Sequence, residues 1–143
     1  MRGSGGIGNS VGGAGMSELA GSRRRTYVVV ATMLGTFVVF RTVLHLRPDT
    51  DLFVAGYDVH HLYTGVLLMA IFGLPAMISE RRRPVSMPSA SGFAIGLTLA
   101  LDQWVYLITT DGTNAAYVTP WSLWSGAVMV LLGVAYALVS RRP

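Results

Sequence analysis

The sequence predicts an all-α integral membrane protein, an antiparallel four-helix bundle with a disordered N-terminal tail. Two observations lead to this fold class. The 143-residue chain is 52% hydrophobic and only 13% charged, whereas soluble domains carry about a quarter charged residues. Four apolar stretches also reach the roughly 20 residues that a helix needs to cross a bilayer. We therefore expect one small domain whose solvent is mostly lipid.

The composition of successive segments sets the expected domain boundaries. Residues 1–22 are rich in Gly and Ser, and they have too few large apolar side chains to offset the entropy lost on ordering. This segment is expected to be the disordered tail, and residues 23–143 are expected to form the four-helix transmembrane domain. The expected helices are 27–46, 58–78, 92–110 and 120–140.

Polar residues mark several of the expected helix ends. Asp58 is placed to cap the second helix through its carboxylate. Thr119 followed by Pro120 is typical of an N-cap and the first helical position. Between the third and fourth helices, residues 111–114 (Asp-Gly-Thr-Asn) are of the types found in tight turns. The short connections favour antiparallel neighbours in the bundle.

Arginine placement predicts the orientation in the membrane. Arginines cluster before the first helix, after the second and at the C-terminus, whereas the opposite loops hold one arginine and four aspartates. The positive-inside rule then places both termini in the cytoplasm, and we expect the protein in the plasma (inner) membrane. The three clusters are Arg23–Arg25, Arg81–Arg83 and Arg141–Arg142.

The basic clusters and the missing residue types also limit the function. Each cluster borders an apolar run, as topology signals do, so no nucleic-acid partner is expected. The expected partners are the lipid bilayer and either a second copy or a partner membrane subunit. The chain has no Cys and no Lys, which excludes disulfides, thiolate metal sites and Schiff-base chemistry.

Small residues predict where helices approach closely, because lipid provides no hydrophobic drive for their association. Gly92, Gly96 and Ala100 form a stripe on the third helix, with Gln103 close to the same face. A second stripe on the fourth helix contains Ser122, Gly126, Gly133 and Ala137. We expect the third and fourth helices to pack together through these two stripes.

Asp102 lies near the middle of the third apolar stretch and needs compensation. A charge at that depth costs roughly 2.5–3.5 kcal/mol on insertion scales. With a rise of 1.5 Å per residue, Asp102 lies roughly 12 Å below the outer end of its helix, and Arg41 roughly 8–9 Å below the end of the first. The comparable depths predict an Arg41–Asp102 ion pair.

Other polar side chains are expected near this pair, at the outer ends of the helices. His45 follows Arg41 by one helical turn, two adjacent histidines open the second helix, and Tyr106 shares the Asp102 face of the third. All three histidines of the protein are in this group. The candidate cluster, which either binds a ligand or is structural, consists of Arg41, His45, His60, His61, Thr64, Asp102 and Tyr106.

This cluster supports three functional hypotheses, and no catalytic residue is identified. The first is a non-catalytic membrane component that binds a partner subunit or lipid and has no cofactor. The second is a membrane enzyme or redox subunit. It would hold a metal ion through His45, Asp102 and one of the adjacent histidines, His61 or His60, or a haem through His45 and either His60 or His61. The third is a proton-coupled transporter of small solutes, which would require an oligomer because four helices enclose little space.

Two segments carry a resemblance to other proteins. They are residues 57–65 (Tyr-Asp-Val-His-His-Leu-Tyr-Thr-Gly) and residues 96–107 (Gly-Leu-Thr-Leu-Ala-Leu-Asp-Gln-Trp-Val-Tyr-Leu). Their pattern resembles that of small prokaryotic integral membrane proteins with four transmembrane helices. The resemblance covers the helical part of the chain and implies the fold, but it implies neither a reaction nor a ligand.

Overall fold

The computed structural model describes residues 8–47, 53–54, 57–58, 60–78 and 85–141. Apart from loops, these residues are helical, except for one short antiparallel pairing of β1 with β2. Four of the helices are long and apolar enough to cross a membrane, namely α1, α2, α3 and α5. In chain order the elements are α1 (Gly8–Leu46), β1 (Phe53–Val54), β2 (Tyr57–Asp58), α2 (His61–Ile78), α3 (Met87–Thr109), α4 (Asn114–Tyr117) and α5 (Pro120–Val139).

The first helix begins much earlier than the predicted residue 27. The structure places residues 8–22, expected to be disordered, in the N-terminal part of α1, while residues 1–7 lie outside the described residues. Once a helix has nucleated, each further residue adds one hydrogen bond at little cost. The apolar segment after residue 27 provides that nucleus, and Ala, Met, Leu and Glu between residues 14 and 20 favour helix.

The second and third helices also begin at other residues than expected. Asp58 was predicted as the N-cap of the second helix, and this is wrong, because Asp58 lies in β2 and α2 begins at His61. The third helix begins at Met87 instead of Gly92 because Ser86 caps it, with its Oγ accepting from the Ser89 amide at 3.2 Å. The proline in the first turn of α3 suits this position, where no backbone N–H is needed.

The predicted start of α5 and the turn before it are confirmed. Thr119 is the N-cap, Pro120 begins the helix, and Thr119 Oγ1 accepts from the Ser122 amide at 3.4 Å. In the preceding turn, Gly112 has a φ of 76°, a conformation that other residues rarely adopt. Asp111 Oδ1 accepts from the backbone amide of Thr113 at 3.2 Å and from its hydroxyl at 2.9 Å.

Helix α3 lies at the centre of the structure. It packs against α1, α2 and α5, and α1 also packs against α5. Half of the most apolar stretch of α3 is buried within the protein, whereas only 6% of the most apolar stretch of α2 is buried. The core has two clusters, one formed by Met33, Ala94 and Val134 and the other by Leu44, Tyr106 and Tyr117.

The small-residue stripe of α3 packs against α2, so the prediction that it contacts the fourth helix is wrong. A Cβ atom built at Gly96 would lie 2.6 Å from the carbonyl oxygen of Gly65, and one at Gly65 would lie 2.5 Å from that of Gly96. Gly92 lies against the ring of Phe72. The stripe and Asp102 lie on different faces of α3, and α5 contacts the face that carries Asp102.

Gln103 connects α3 to the first turn of α2. Its side-chain Oε1 accepts a hydrogen bond from the Leu62 amide at 2.6 Å, and the residue is 4% exposed. The first amides of a helix have no acceptor within that helix. Gln103 therefore satisfies one of the first amides of α2.

The close approach of α2 and α3 yields a prediction with an internal control. Gly65→Ala should lower the free energy of unfolding by about 1–3 kcal/mol, because the new methyl group meets backbone atoms that cannot rotate away. Gly35→Ala should not destabilise the protein, since a Cβ atom there has no neighbour within 4 Å and Ala favours helix over Gly. Thermal unfolding in one detergent measures both, and equal losses would contradict the packing described.

Candidate functional site: a buried ion pair with saturated partners

Arg41 and Asp102 form the predicted ion pair, which is confirmed. Arg41 Nε donates to Asp102 Oδ1 at 2.8 Å, and Arg41 Nη2 lies 2.7 Å from the same oxygen. The two side chains are only 10% and 5% exposed. At this burial each charge would be costly alone, so each stabilises the other.

Arg41 has further acceptors at the start of α5 and the end of α4. Its Nη1 donates to the Tyr117 carbonyl oxygen at 3.0 Å and to Ser122 Oγ at 3.2 Å, and its Nη2 donates to the Ser122 carbonyl oxygen at 2.8 Å. Every nitrogen of the guanidinium group thus has an acceptor within the protein. A guanidinium group has five N–H donors, more than one carboxylate oxygen can accept.

Tyr117 satisfies the remaining oxygen of the carboxylate. Its hydroxyl donates a short hydrogen bond to Asp102 Oδ2, and its ring lies under the guanidinium group, with Arg41 Cζ 4.1 Å from the ring centroid. Burial and the neighbouring Asp102 carboxylate raise the pKa of the Tyr117 hydroxyl above its usual range. Tyr117 therefore keeps its proton and acts as a donor.

Gly126 leaves the space that the ion pair occupies between α3 and α5. A Cβ atom at this position would collide with Asp102 Oδ1 and would lie 2.8 Å from Arg41 Nη2. Ser122, one turn earlier, is fully buried. The predicted small stripe of the fourth helix thus approaches α3, but at the ion pair and not at the glycines of α3.

The turn after α3 positions Tyr117. Tyr106 donates through its hydroxyl to the Thr113 carbonyl oxygen at 2.8 Å, and its ring meets that of Tyr117 edge to face at 5.2 Å. The two hydrogen bonds from Thr113 lower the pKa of Asp111, which favours the charged form that accepts them. Tyr106 was predicted to belong to the polar cluster, and it supports the cluster through this turn.

The structure brings His61 into the cluster and leaves His45 at its edge. The His61 ring lies edge to face against Phe40 at 5.3 Å and against Tyr117 at 6.3 Å, close enough to Asp102 for an electrostatic interaction. His45 is exposed on α1 and lines a cleft beside Arg41. His60 precedes α2, where its carbonyl oxygen accepts from the Tyr63 amide at 3.0 Å.

The predicted metal-ligand set does not assemble. Within the described parts of the chain, no group of three His, Asp or Glu side chains is arranged to hold a metal ion. His45, His61 and Asp102 therefore do not form such a group. Both carboxylate oxygens of Asp102 are already occupied by protein donors. Thr64 is half-buried on α2, and the hydrogen bonds found around the ion pair involve neither it nor His60.

Two residues of the site were not predicted from the sequence in these roles. Tyr117 was not included in the cluster, and Ser122 was assigned only to a small-residue stripe. A signal was present, because Arg41 has more donors than Asp102 can satisfy and the other acceptors had to come from neighbouring helix ends. These acceptors are the Tyr117 carbonyl oxygen and the hydroxyl and carbonyl oxygens of Ser122.

The chain matches no protein-family model, no curated protein and no solved structure. The geometry of the site therefore carries the functional conclusions.

The roles of the two tyrosines lead to a paired prediction. Tyr117→Phe removes a donor to a buried carboxylate and should lower the free energy of unfolding by about 1.5–3 kcal/mol. Tyr106→Phe removes a neutral hydrogen bond to a carbonyl oxygen and should cost about 0.5–1.5 kcal/mol. Both variants keep the ring contact, so denaturation in detergent compares the two hydroxyl groups directly. A larger loss for Tyr106→Phe would contradict the role of Tyr117.

Proposed function

We propose that the protein is a non-catalytic, multi-pass component of the plasma (inner) membrane that binds a partner subunit or lipid. Its long helices α1, α2, α3 and α5 cross the bilayer as an antiparallel bundle, and the Arg41–Asp102 pair fixes how three of them pack. The length and apolar character of these helices support membrane integration. The assignment agrees with the sequence resemblance to small four-helix membrane proteins.

The saturation of the ion pair is the observation that carries this proposal. All three nitrogens of the guanidinium group and both oxygens of the carboxylate have partners within the chain. Arg41 and Asp102 are also largely closed to the surroundings, with only 10% and 5% of their side chains exposed, so little of either group is open to a ligand. A hydrogen-bonded network of this kind makes a core rigid and specifies one arrangement.

The contacts also support an antiparallel arrangement with both termini on one side. Along the α2–α3 interface, Leu62 contacts Gln103, and Phe72, further along α2, contacts Gly92, further back along α3. At the other end of the bundle, Arg141 Cζ lies 5.2 Å from the ring centroid of Tyr27. The last helix thus ends beside the part of α1 that follows Arg23–Arg25, and the positive-inside rule assigns this side to the cytoplasm.

The surface of α2 is the place where a partner helix or lipid would bind. Among the described helices, α2 forms an extended interface with α3 alone. Its outward side chains are large and apolar, with Leu67 60% and Ile71 53% exposed. In a bilayer such a surface contacts either lipid tails or another transmembrane helix.

The proposed topology is tested by cysteine labelling, because the native chain contains no cysteine. Ala115 and Ser140 are both exposed and lie at opposite ends of the bundle. In intact cells a membrane-impermeant maleimide should label Ala115→Cys and should not label Ser140→Cys until the membrane is permeabilised. Each variant serves as the control for the other.

Two results would contradict the proposal. Labelling of both cysteines in intact cells, or the reverse pattern, would refute the topology. A Soret band or a stoichiometric metal in the purified protein, lost in His45→Ala, would instead favour a redox or enzymatic subunit. The transporter alternative would gain support from solute uptake driven by a proton gradient in vesicles.

A further inference from the structure

A cleft lies between α1 and the start of α5, at the outer end of the bundle. Its volume is about 460 Å³, which is within the range of small-molecule binding sites. Arg41 and Tyr117 form its floor, and its walls come from the last turns of α1 and the first turn of α5. The wall residues are exposed in the protein alone, so the cleft opens to the surroundings.

The depth of the cleft places it across the boundary between lipid head groups and tails. It extends from Leu46, the last residue of α1, to Arg41, roughly 8 Å deeper at 1.5 Å per residue. Its walls are mainly apolar, with Leu46 and Val118 nearer the outer end and Leu123 one turn into α5. Apolar walls exclude water, and in a bilayer the alternative occupant is an acyl chain.

The residues that line the cleft favour an anionic head group. None of its lining residues is acidic, and the charge of Arg41 is offset by Asp102 behind it. His45 provides a ring N–H donor at the mouth, and Arg47 follows directly after α1. The N-terminus of the 20-residue helix α5 adds partial positive charge on the facing wall.

We infer that this cleft binds one anionic phospholipid of the surrounding bilayer. An acyl chain lies along Leu123 between α1 and α5, and the phosphate faces His45 and the N-terminal end of α5. This inference rests on the proposed function, because it requires the protein to lie in a membrane. It goes further by naming the lipid class and the site, which is separate from the outward surface of α2.

The experiment titrates the full chain, purified in detergent, with phosphatidylglycerol and with phosphatidylcholine, and follows one-to-one complexes by native mass spectrometry. The wild-type protein should bind phosphatidylglycerol about fivefold more tightly, the ratio that corresponds to about 1 kcal/mol for one basic group near an anionic head group. His45→Gln should lose this preference and His45→Arg should retain it. Equal affinity of the wild-type protein for both lipids would overturn the inference.

Steric variants test the position of the acyl chain. Leu123→Trp fills the cleft and should weaken phosphatidylglycerol binding at least tenfold. Leu131→Trp places the same side chain at a 56% exposed position of the same helix outside the cleft and should leave binding unchanged. Thr42→Trp, on the α1 wall, repeats the test if Leu123→Trp does not fold. Equal binding by the variants on the walls and by Leu131→Trp would overturn the site.

Carbonate extraction of membranes separates this inference from the proposed function. If the protein stays in the membrane and Leu123→Trp still binds phosphatidylglycerol like the wild type, only the cleft assignment fails. If carbonate releases the protein, both the membrane assignment and the cleft assignment fail.

Discussion

The structure depends on the compensation of one carboxylate within an apolar helix. Asp102 lies on α3, the helix that contacts all the other long helices. An uncompensated charge buried among apolar helices would oppose their packing. The compensation comes from Arg41 on α1, Tyr117 on α4 and the space left by Gly126 on α5. One ionised group thus determines how three separate segments must be arranged.

The other contacts at this end of the bundle can be understood as support for that arrangement. Ser122 contributes both its hydroxyl and its carbonyl oxygen to Arg41, which requires α5 to begin where Thr119 caps it. Tyr106 holds the turn that carries Tyr117. Helix α2 is attached differently, through backbone contact at Gly65 and through Gln103. Its position is therefore set mainly by shape and by one polar cap.

The sequence was sufficient to predict the helical class, the ion pair and the cap of α5. Depth along two apolar stretches was enough to match Arg41 with Asp102, because each residue adds a fixed rise. It was not enough to identify Tyr117, since its position depends on the backbone path after α3. The partner of the Gly96 stripe was also assigned wrongly. Small residues show that a helix is approached closely, but they do not show which neighbour approaches it.

A double-mutant cycle on Arg41 and Asp102 tests the account most directly. Arg41→Met or Asp102→Leu alone leaves one charge buried without its partner, and each should lower the free energy of unfolding in detergent by about 3–5 kcal/mol. The double variant replaces the pair with apolar side chains and should lose clearly less than the sum of the two. Strictly additive losses, or single variants as stable as the wild type, would contradict a structural role for the pair.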